Sequence, residues 1–271
     1  MKHFTSIAFV LLCAFTSFAQ RDSSFRLVKT FPVNAVDFAV DNLDNIYFIT
    51  SSDQLRKLNA AGDSMEAYNN VKRFGKLSAI DVSNPLRVLL FYKDFATIAI
   101  LDRFLTLRSS LDLRKQNIPQ VSAIGLAYDN NIWVFDEYNN KLKKIDEDGN
   151  TQLETPDFRM LFNESIVPTQ IIDKNNFVYL YDPNRGVYLF DRYGTYKKKL
   201  PITGWKNIAV INQYITGIQA NSLAIYNTAT LLQTSLSLPF EFKNSFSNYI
   251  IGNTKLFGLN KEGIKSYSIP Y

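Results

Sequence analysis

Residues 129–149 read DNNIWVFDEYNNKLKKIDEDG: an Asx turn, a short run of large apolar side chains, a polar connection, an alternating segment, and a second turn ending in glycine. A short apolar run bounded by turn residues reads as a buried strand, and period-two alternation reads as a strand with two unlike faces. The same order recurs in DNLDNIYFITSSDQLRKLNAAG at 41–62. Six such apolar runs begin at Asn45, Arg87, Asn131, Phe177, Tyr214 and Thr254, so successive starts lie 42, 44, 46, 37 and 40 residues apart. A period of roughly 40 to 50 residues, with four strands per unit, is that of β-propeller blades.

Third strands are predicted at 55–59, 98–102, 142–146, 187–191, 223–227 and 264–268, and their alternation predicts that they are half-exposed. Several run into turns such as Asn59 to Gly62, Asp146 to Asn150 and Asp191 to Gly194, with a weaker version at Asp102-Arg103. Glycine there supplies positive φ and the Asx side chain bonds the turn backbone, so these are hairpins. Asp146-Glu147-Asp148 is turn chemistry by the same logic, because it lacks the ligand spacing of a calcium loop. A fourth strand follows each of the first five hairpins, for example at 151–154 and 195–200, but the sixth ends at Tyr271. An unpaired alternating strand, Phe25 to Pro32, precedes the first complete unit and is placed to serve as the missing one. The fold class is therefore all-β, a six-bladed β-propeller whose N-terminal strand completes the last blade. The 252 residues from 20 to 271 divide into 42 per blade.

Residues 1–19 carry Lys2 and His3, an apolar run from Ile7 to Phe15 and the small-residue exit Ser17-Phe18-Ala19, the layout of a secretory signal peptide. Domain organisation is thus a leader at 1–19 and one propeller domain at 20–271. Leu12 before Cys13 argues against lipid attachment, where a small residue is wanted. Cleavage removes the only histidine, His3, and the only cysteine, Cys13. The mature chain would then have no disulfide, no Cys/His metal site and no imidazole to activate a nucleophile. Without Lys2 the balance is 29 basic against 25 acidic residues, a net of +4. That is too mild and too dispersed for a nucleic-acid surface, and Lys197-Lys198-Lys199 reads as a solvated strand face. No cofactor or metal is expected.

The units resemble the NHL-like six-bladed propellers, whose blades carry a D-x-x-G/N-N-I-Y-V-like second strand and a K-F-D-x-x-G-like hairpin. The matching pieces are Asp41 to Ile49 with Lys57 to Gly62, Asp129 to Phe135 with Lys144 to Gly149, and Asp173 to Tyr181 with Leu189 to Gly194. Blades two, five and six depart from that pattern. The glutamine after the cleavage site and the Tyr/Phe/Asn/Lys-rich composition are similar to those of exported proteins of the Bacteroidota.

In such a fold the connections from second to third and from fourth to first strands share one face, the usual place for function. The partner-binding residues expected there are Phe74, Tyr92, Phe95, Tyr138, Arg159, Phe162, Arg185, Trp205 and Lys206, since Tyr, Trp and Arg anchor protein interfaces. Aromatics that cap the blade cores are the competing reading for each of them. The longest irregular stretch, Asp157 to Val167, is expected to form one helical turn whose Met160, Leu161 and Phe162 lie over the axial opening, dock a partner or simply cover packing.

The function expected is a non-catalytic, periplasmic protein-interaction module, monomeric outside its complex. The resemblance to Bacteroidota proteins implies, as a setting, an accessory or plug subunit of a type 9 outer-membrane secretion machine. Two other classes stay open. A calcium-dependent lactonase-like hydrolase would need carboxylates converging at the strand entrances 35–37, 77–79, 121–123, 169–171, 207–209 and 247–249, where only Asp37 is acidic. A carbohydrate binder would stack sugars on Tyr138, Trp205 or Phe95.

Overall fold

The computed structural model describes residues 25–270, so the leader expected at 1–19 lies outside the described residues. Six four-stranded antiparallel sheets follow one another, five of them laid out in chain order. Blade one occupies 35–68, blade two 79–112, blade three 121–154, blade four 170–200 and blade five 206–237. Blade six takes three strands from 248–268 and its outermost from Arg26–Phe31, in the order that closes a ring. The chain is a six-bladed β-propeller.

The closing strand pairs antiparallel with Gly263–Ser268, from Arg26 opposite Ser268 to Phe31 opposite Ile264, with a bulge between Leu27 and Lys29. Phe31 is buried between blades six and one, against Phe38, Phe48 and Ile264. Across the same boundary the Lys255 ammonium meets Asp44 at 2.7 Å.

There is no single central core. Six apolar clusters each fill the wedge between two neighbouring blades, so every sheet is buried on both faces. That explains the continuous apolar second strands: all five residues of Ile132–Asp136 are buried. It also corrects the expectation for the third strands. Thr97–Asp102 and Gly186–Asp191 are buried along nearly their whole length, and the half-exposed alternation belongs to fourth strands such as Tyr196–Leu200. Lysines in a third strand keep their stems in the wedge and send their charge to a carboxylate, Lys143 to Asp136 and Lys144 to Asp129, each at 2.8 Å.

The Asx turns are built as expected. Asp146 Oδ1 accepts from the amides of Asp148 (3.0 Å) and Asn150 (2.8 Å), and Asp191 Oδ1 from those of Tyr193 and Thr195, both at 2.9 Å. These hairpins lean on the preceding blade: a Cβ on Gly149 would lie 2.9 Å from Leu111 Cδ1. Gln116 donates to Asp148 O (3.3 Å), Lys57 to Arg103 O (3.3 Å) and Lys198 to Thr228 O (3.3 Å), repeating the tie from blade to blade. Lys197–Lys199 do sit on a partly exposed outer strand, with Lys197 paired to Asp191 at 2.8 Å.

Candidate functional site

Strand alternation sends the tight Asx turns to one end of the ring and the longer connections to the other. Five short helical pieces lie in those longer connections: the 3-10 turns Val71–Phe74, Lys93–Phe95 and Leu113–Gln116, and the α-helices Phe158–Phe162 (α1) and Phe240–Ser245 (α2). Three places on this face have distinct chemistry.

The first is a cleft of about 440 Å³ formed by the 3-10 turns of blades one and two, lined by Arg73, Phe74, Phe95, Arg114 and Lys115 among others. Phe95 is 47% exposed, and it packs against the backbone of Gly75, where a Cβ would fall 2.6 Å from the ring. Gly75 has φ of 90°, so glycine is required twice over. Arg73 lies over the Phe74 ring at 5.1 Å. Arg114 is held by Asp112 through Nε (2.9 Å) and a second nitrogen (2.8 Å), which holds the Asp112 carboxyl below the usual range. Phe74 is half-buried and stands edge-on to Tyr92 at 5.5 Å.

Tyr92 is a correction. It is fully buried in the wedge between blades one and two, and burial pushes its phenol up. Neither its hydroxyl nor that of buried Tyr68 has a hydrogen-bond partner among the described residues.

The second place spans blades three and four. Tyr138 is 67% exposed, Met160 85% and Leu161 43%. Arg159 is exposed, clamped by Asp157 at 2.9 and 2.6 Å, and it reaches Asn139 O at 3.3 Å, which brings α1 beside the Tyr138 turn. The bond from Arg159 holds the Asp157 carboxyl low. Asp157 also caps α1 by accepting from the Arg159 amide at 2.9 Å.

Phe162 is another correction: it turns inward, half-buried, against Phe158 (5.0 Å), Tyr188 (5.1 Å) and Tyr196 (4.7 Å). The three residues expected over the opening therefore divide, with Met160 and Leu161 outward and Phe162 covering the core beside buried Phe158. None of them lines the axial opening. Arg185 is exposed and pairs with Glu164 at 3.3 Å. Glu164 also takes Lys199 (2.6 Å) and the Tyr188 hydroxyl, and these bonds, Lys199 first, hold its carboxyl low.

The third place is the axial mouth, a cavity of about 490 Å³ lined by the entrances of the inner strands. Asp37, Thr169, Gln170, Asn207 and Asn248 meet there. Sequence reasoning located these entrances but counted only acids, and so passed over the amides. Three of them bond in series, Asn248 donating to Asp37 Oδ1 (2.6 Å) and Asn207 to Asn248 Oδ1 (2.8 Å), while Gln170 Oε1 accepts from the backbone amide of Ile208 (2.9 Å). The belt latches neighbouring inner strands together.

Lys206 is exposed at this mouth, but Trp205 is a further correction. It is only 3% exposed, its indole lies on Gly217 of the neighbouring strand, and Tyr181 Oη bonds both its amide (2.8 Å) and its carbonyl (2.7 Å). A flat face for a sugar is not available at Trp205. Among the described residues no three His, Cys, Asp or Glu side chains gather into a metal-ligand group, and no helix is long and apolar enough to cross a membrane.

No family model and no curated protein sequence matches the chain. Solved structures do. The chain is similar to the β-propeller domain of Cps50 (Swd1) from Myceliophteria thermophila, with TM-score 0.61, 9% identity, and 90% of this chain and 99% of that one covered. It is similar to the Neurospora crassa Pan2 WD40 domain with TM-score 0.59, 10% identity and coverage of 92% and 96%. It is also similar to the catalytically inactive histidine-to-alanine form of virginiamycin B lyase from Staphylococcus aureus, with TM-score 0.56, 15% identity and coverage of 91% and 88%. The likeness is one of fold.

Proposed function

We propose that this chain is a non-catalytic protein-interaction module, exported to the periplasm, that takes its partner on the face carrying the helical connections. The observation that carries the reading is the exposed group Tyr138, Met160 and Leu161 beside Arg159, together with Phe95 beside Arg114, on that one face. Large apolar side chains next to arginine are the usual anchors of protein interfaces, at about 2 kcal/mol or more each when centrally buried.

Catalysis is less well supported. The lyase neighbour is inactive in its histidine-to-alanine form, and the described residues of this chain contain no histidine. At the axial mouth Asp37 is the one carboxylate, and its Oδ1 is already taken by Phe38 N (2.8 Å) and Asn248.

The NHL-like assignment rests on the motifs at 41–62, 129–149 and 173–194, and the periplasmic address on the leader layout at 1–19. In its narrowest form, supported by composition alone, the proposal makes the chain an accessory or plug subunit of a type 9 outer-membrane secretion complex. The test is a crosslinked pull-down of the tagged chain from its own envelope. The expected result is a stoichiometric protein partner, lost in the double variant Tyr138→Ala with Met160→Ala while circular dichroism stays unchanged. Recovery of no protein, with tight calcium binding and a lactone-hydrolysing rate in the purified chain, would reject the reading.

A further inference from the structure

The cleft between the 3-10 turns of blades one and two differs from the rest of the face in its charge. Its first wall, residues 71–77, contains Lys72, Arg73 and Lys76 and no acid; its second, residues 113–120, contains Arg114 and Lys115 and no acid. All five side chains belong to exposed residues. Lys72 is neutralised by Asp53 at 2.6 Å and Arg114 by Asp112 at 2.8 Å. Arg73, Lys76 and Lys115 have no carboxylate partner among the described residues, whereas most other cations of blades three and four do, as with Lys141, Lys143, Lys144, Arg159, Arg185 and Lys199. Uncompensated charge lining a concavity focuses the field there and raises the local concentration of anions.

Between those walls lie the rings of Phe74 and Phe95, and Phe95 cannot withdraw, because it rests on the backbone of Gly75. The cleft thus offers an apolar surface and two unpaired cations, Arg73 and Lys115, in one space of about 440 Å³, the size of one or two large side chains and their backbone. Behind Phe74, the buried hydroxyls of Tyr68 and Tyr92 are donors without acceptors. Asp112 is the one carboxylate in the described lining, and it is engaged by Arg114.

We infer that this cleft binds an acidic peptide segment of a protein partner, one that places an aromatic or large aliphatic side chain against Phe95 and flanking carboxylates on Arg73 and Lys115. The inference rests on the interaction reading above and names the chemistry of what is bound. A nucleic acid or anionic lipid surface fits less well. The net charge of the whole sequence is only +5, and the unpaired cations converge on one concave spot instead of forming an extended stripe.

The test is fluorescence anisotropy on the full mature chain with three labelled probes: a short peptide alternating Glu and Phe, the same peptide with Lys for Glu, and the same peptide with Ser for Phe. The Glu/Phe peptide should bind, the Lys/Phe peptide should not, and the Glu/Ser peptide should bind at least about tenfold more weakly. Affinity should fall several-fold between ~50 mM and ~300 mM NaCl, as screening shortens the reach of the cations. Arg73→Ala with Lys115→Ala should cost about tenfold or more, whereas the equally charge-depleting Lys197→Ala with Lys261→Ala should cost nothing measurable.

Equal binding of the Glu/Phe and Glu/Ser peptides, or of a duplex DNA of matched charge, would overturn the inference in favour of a nonspecific polyanion patch. No binding of the Glu/Phe peptide, while the envelope pull-down still recovers its partner, would overturn this inference alone. Failure of both would remove the interaction reading as well.

Discussion

Replacing Gly263 by alanine tests the ring closure where it is most exposed to failure. Gly263 begins the third strand of blade six at φ of 125°, and a Cβ there would collide with Phe31 O and sit 2.9 Å from Val33 N. Gly186 begins the third strand of blade four at φ of 113° and faces Leu200 O and Ile202 N in the same manner. Both fourth strands end on the same tight bond, Val33 N to Phe31 O and Ile202 N to Leu200 O, each at 2.9 Å. The N-terminal strand is thus a fourth strand in atomic detail, lacking only the covalent hairpin that would lead into it. A Gly263→Ala side chain adds about 1–2 kcal/mol of backbone strain and pushes the closing strand outward. Displacing Phe31 from its wedge forfeits about 2–3 kcal/mol more. The free energy of local opening should fall by about 3–5 kcal/mol, so amide exchange at 26–31 should accelerate on the order of a hundred- to a few-thousandfold. Gly186→Ala carries the same strain, but its outer strand is tethered by a hairpin, so it should lower global stability without selective exposure of 196–200. Hydrogen exchange read by mass spectrometry separates the two. Unchanged protection at 26–31 in Gly263→Ala, or equal local opening in both variants, would refute the reasoning.

Trp205→Ala should destabilise by about 3–5 kcal/mol in urea unfolding, because the indole fills a space that Gly217 leaves open; a loss under ~1 kcal/mol would show that the ring is not core. Asp173→Ala should cost about 2–4 kcal/mol by the same assay, since it strands the Trp133 indole N–H (3.0 Å) and the Tyr128 amide (3.2 Å) that its carboxylate now accepts, and a near-neutral result would contradict that geometry. Glu164 anchors the connection at 155–169 to blade four, and its carboxyl is held low in the folded chain. Its contribution is therefore present above the unfolded glutamate value of about 4.3 and is lost as pH falls through the lower folded value. Limited proteolysis in 157–167 should increase over that acidic window in the native chain, and Glu164→Gln should show the increased cleavage already at neutral pH; cleavage independent of both changes would sink the latch.

The blades were legible because each second strand is buried on both faces and so reads as an unbroken apolar run, while the Asx-Gly hairpins carry their own chemistry. The closing strand followed from counting strands. What sequence could not show was the direction in which a loop aromatic turns. Trp205, Tyr92 and Phe162 look like Tyr138 and Phe95 in sequence, yet the first three go inward. One signal was present. The second strands of blades five and six contain Gly217 and Gly258, and each glycine makes room for rings from the preceding connection, Trp205 over Gly217 and Phe242 with Phe246 over Gly258. A glycine where other blades carry a large side chain marks a hole that something must fill, and it accounts for the departure of those two blades from the repeat. The third-strand lysines misled for a related reason: alternation reports polarity, and a lysine whose stem is buried and whose charge is paired counts as polar while lying in the core.

This division has a consequence for where a partner sits. All blades face the same demand, because each wedge must be sealed at the end where the long connections cross it. Blades four to six meet it with aromatics drawn from those connections, Phe158 and Phe162, Trp205, then Phe242 and Phe246, stacked within 4.5–5.5 Å of one another or against strand glycines. Blades one and two seal theirs mainly with Val71, Leu113 and Ile118, smaller groups that leave Phe95 and the cations of their 3-10 turns outside. Burial already spends the first set of rings, so their removal costs stability before it costs recognition. The second set is free of that duty, and its substitution should be silent in unfolding experiments and visible only in binding, which makes the arc from blade one to the Tyr138 turn of blade three the side of the ring on which recognition is to be sought.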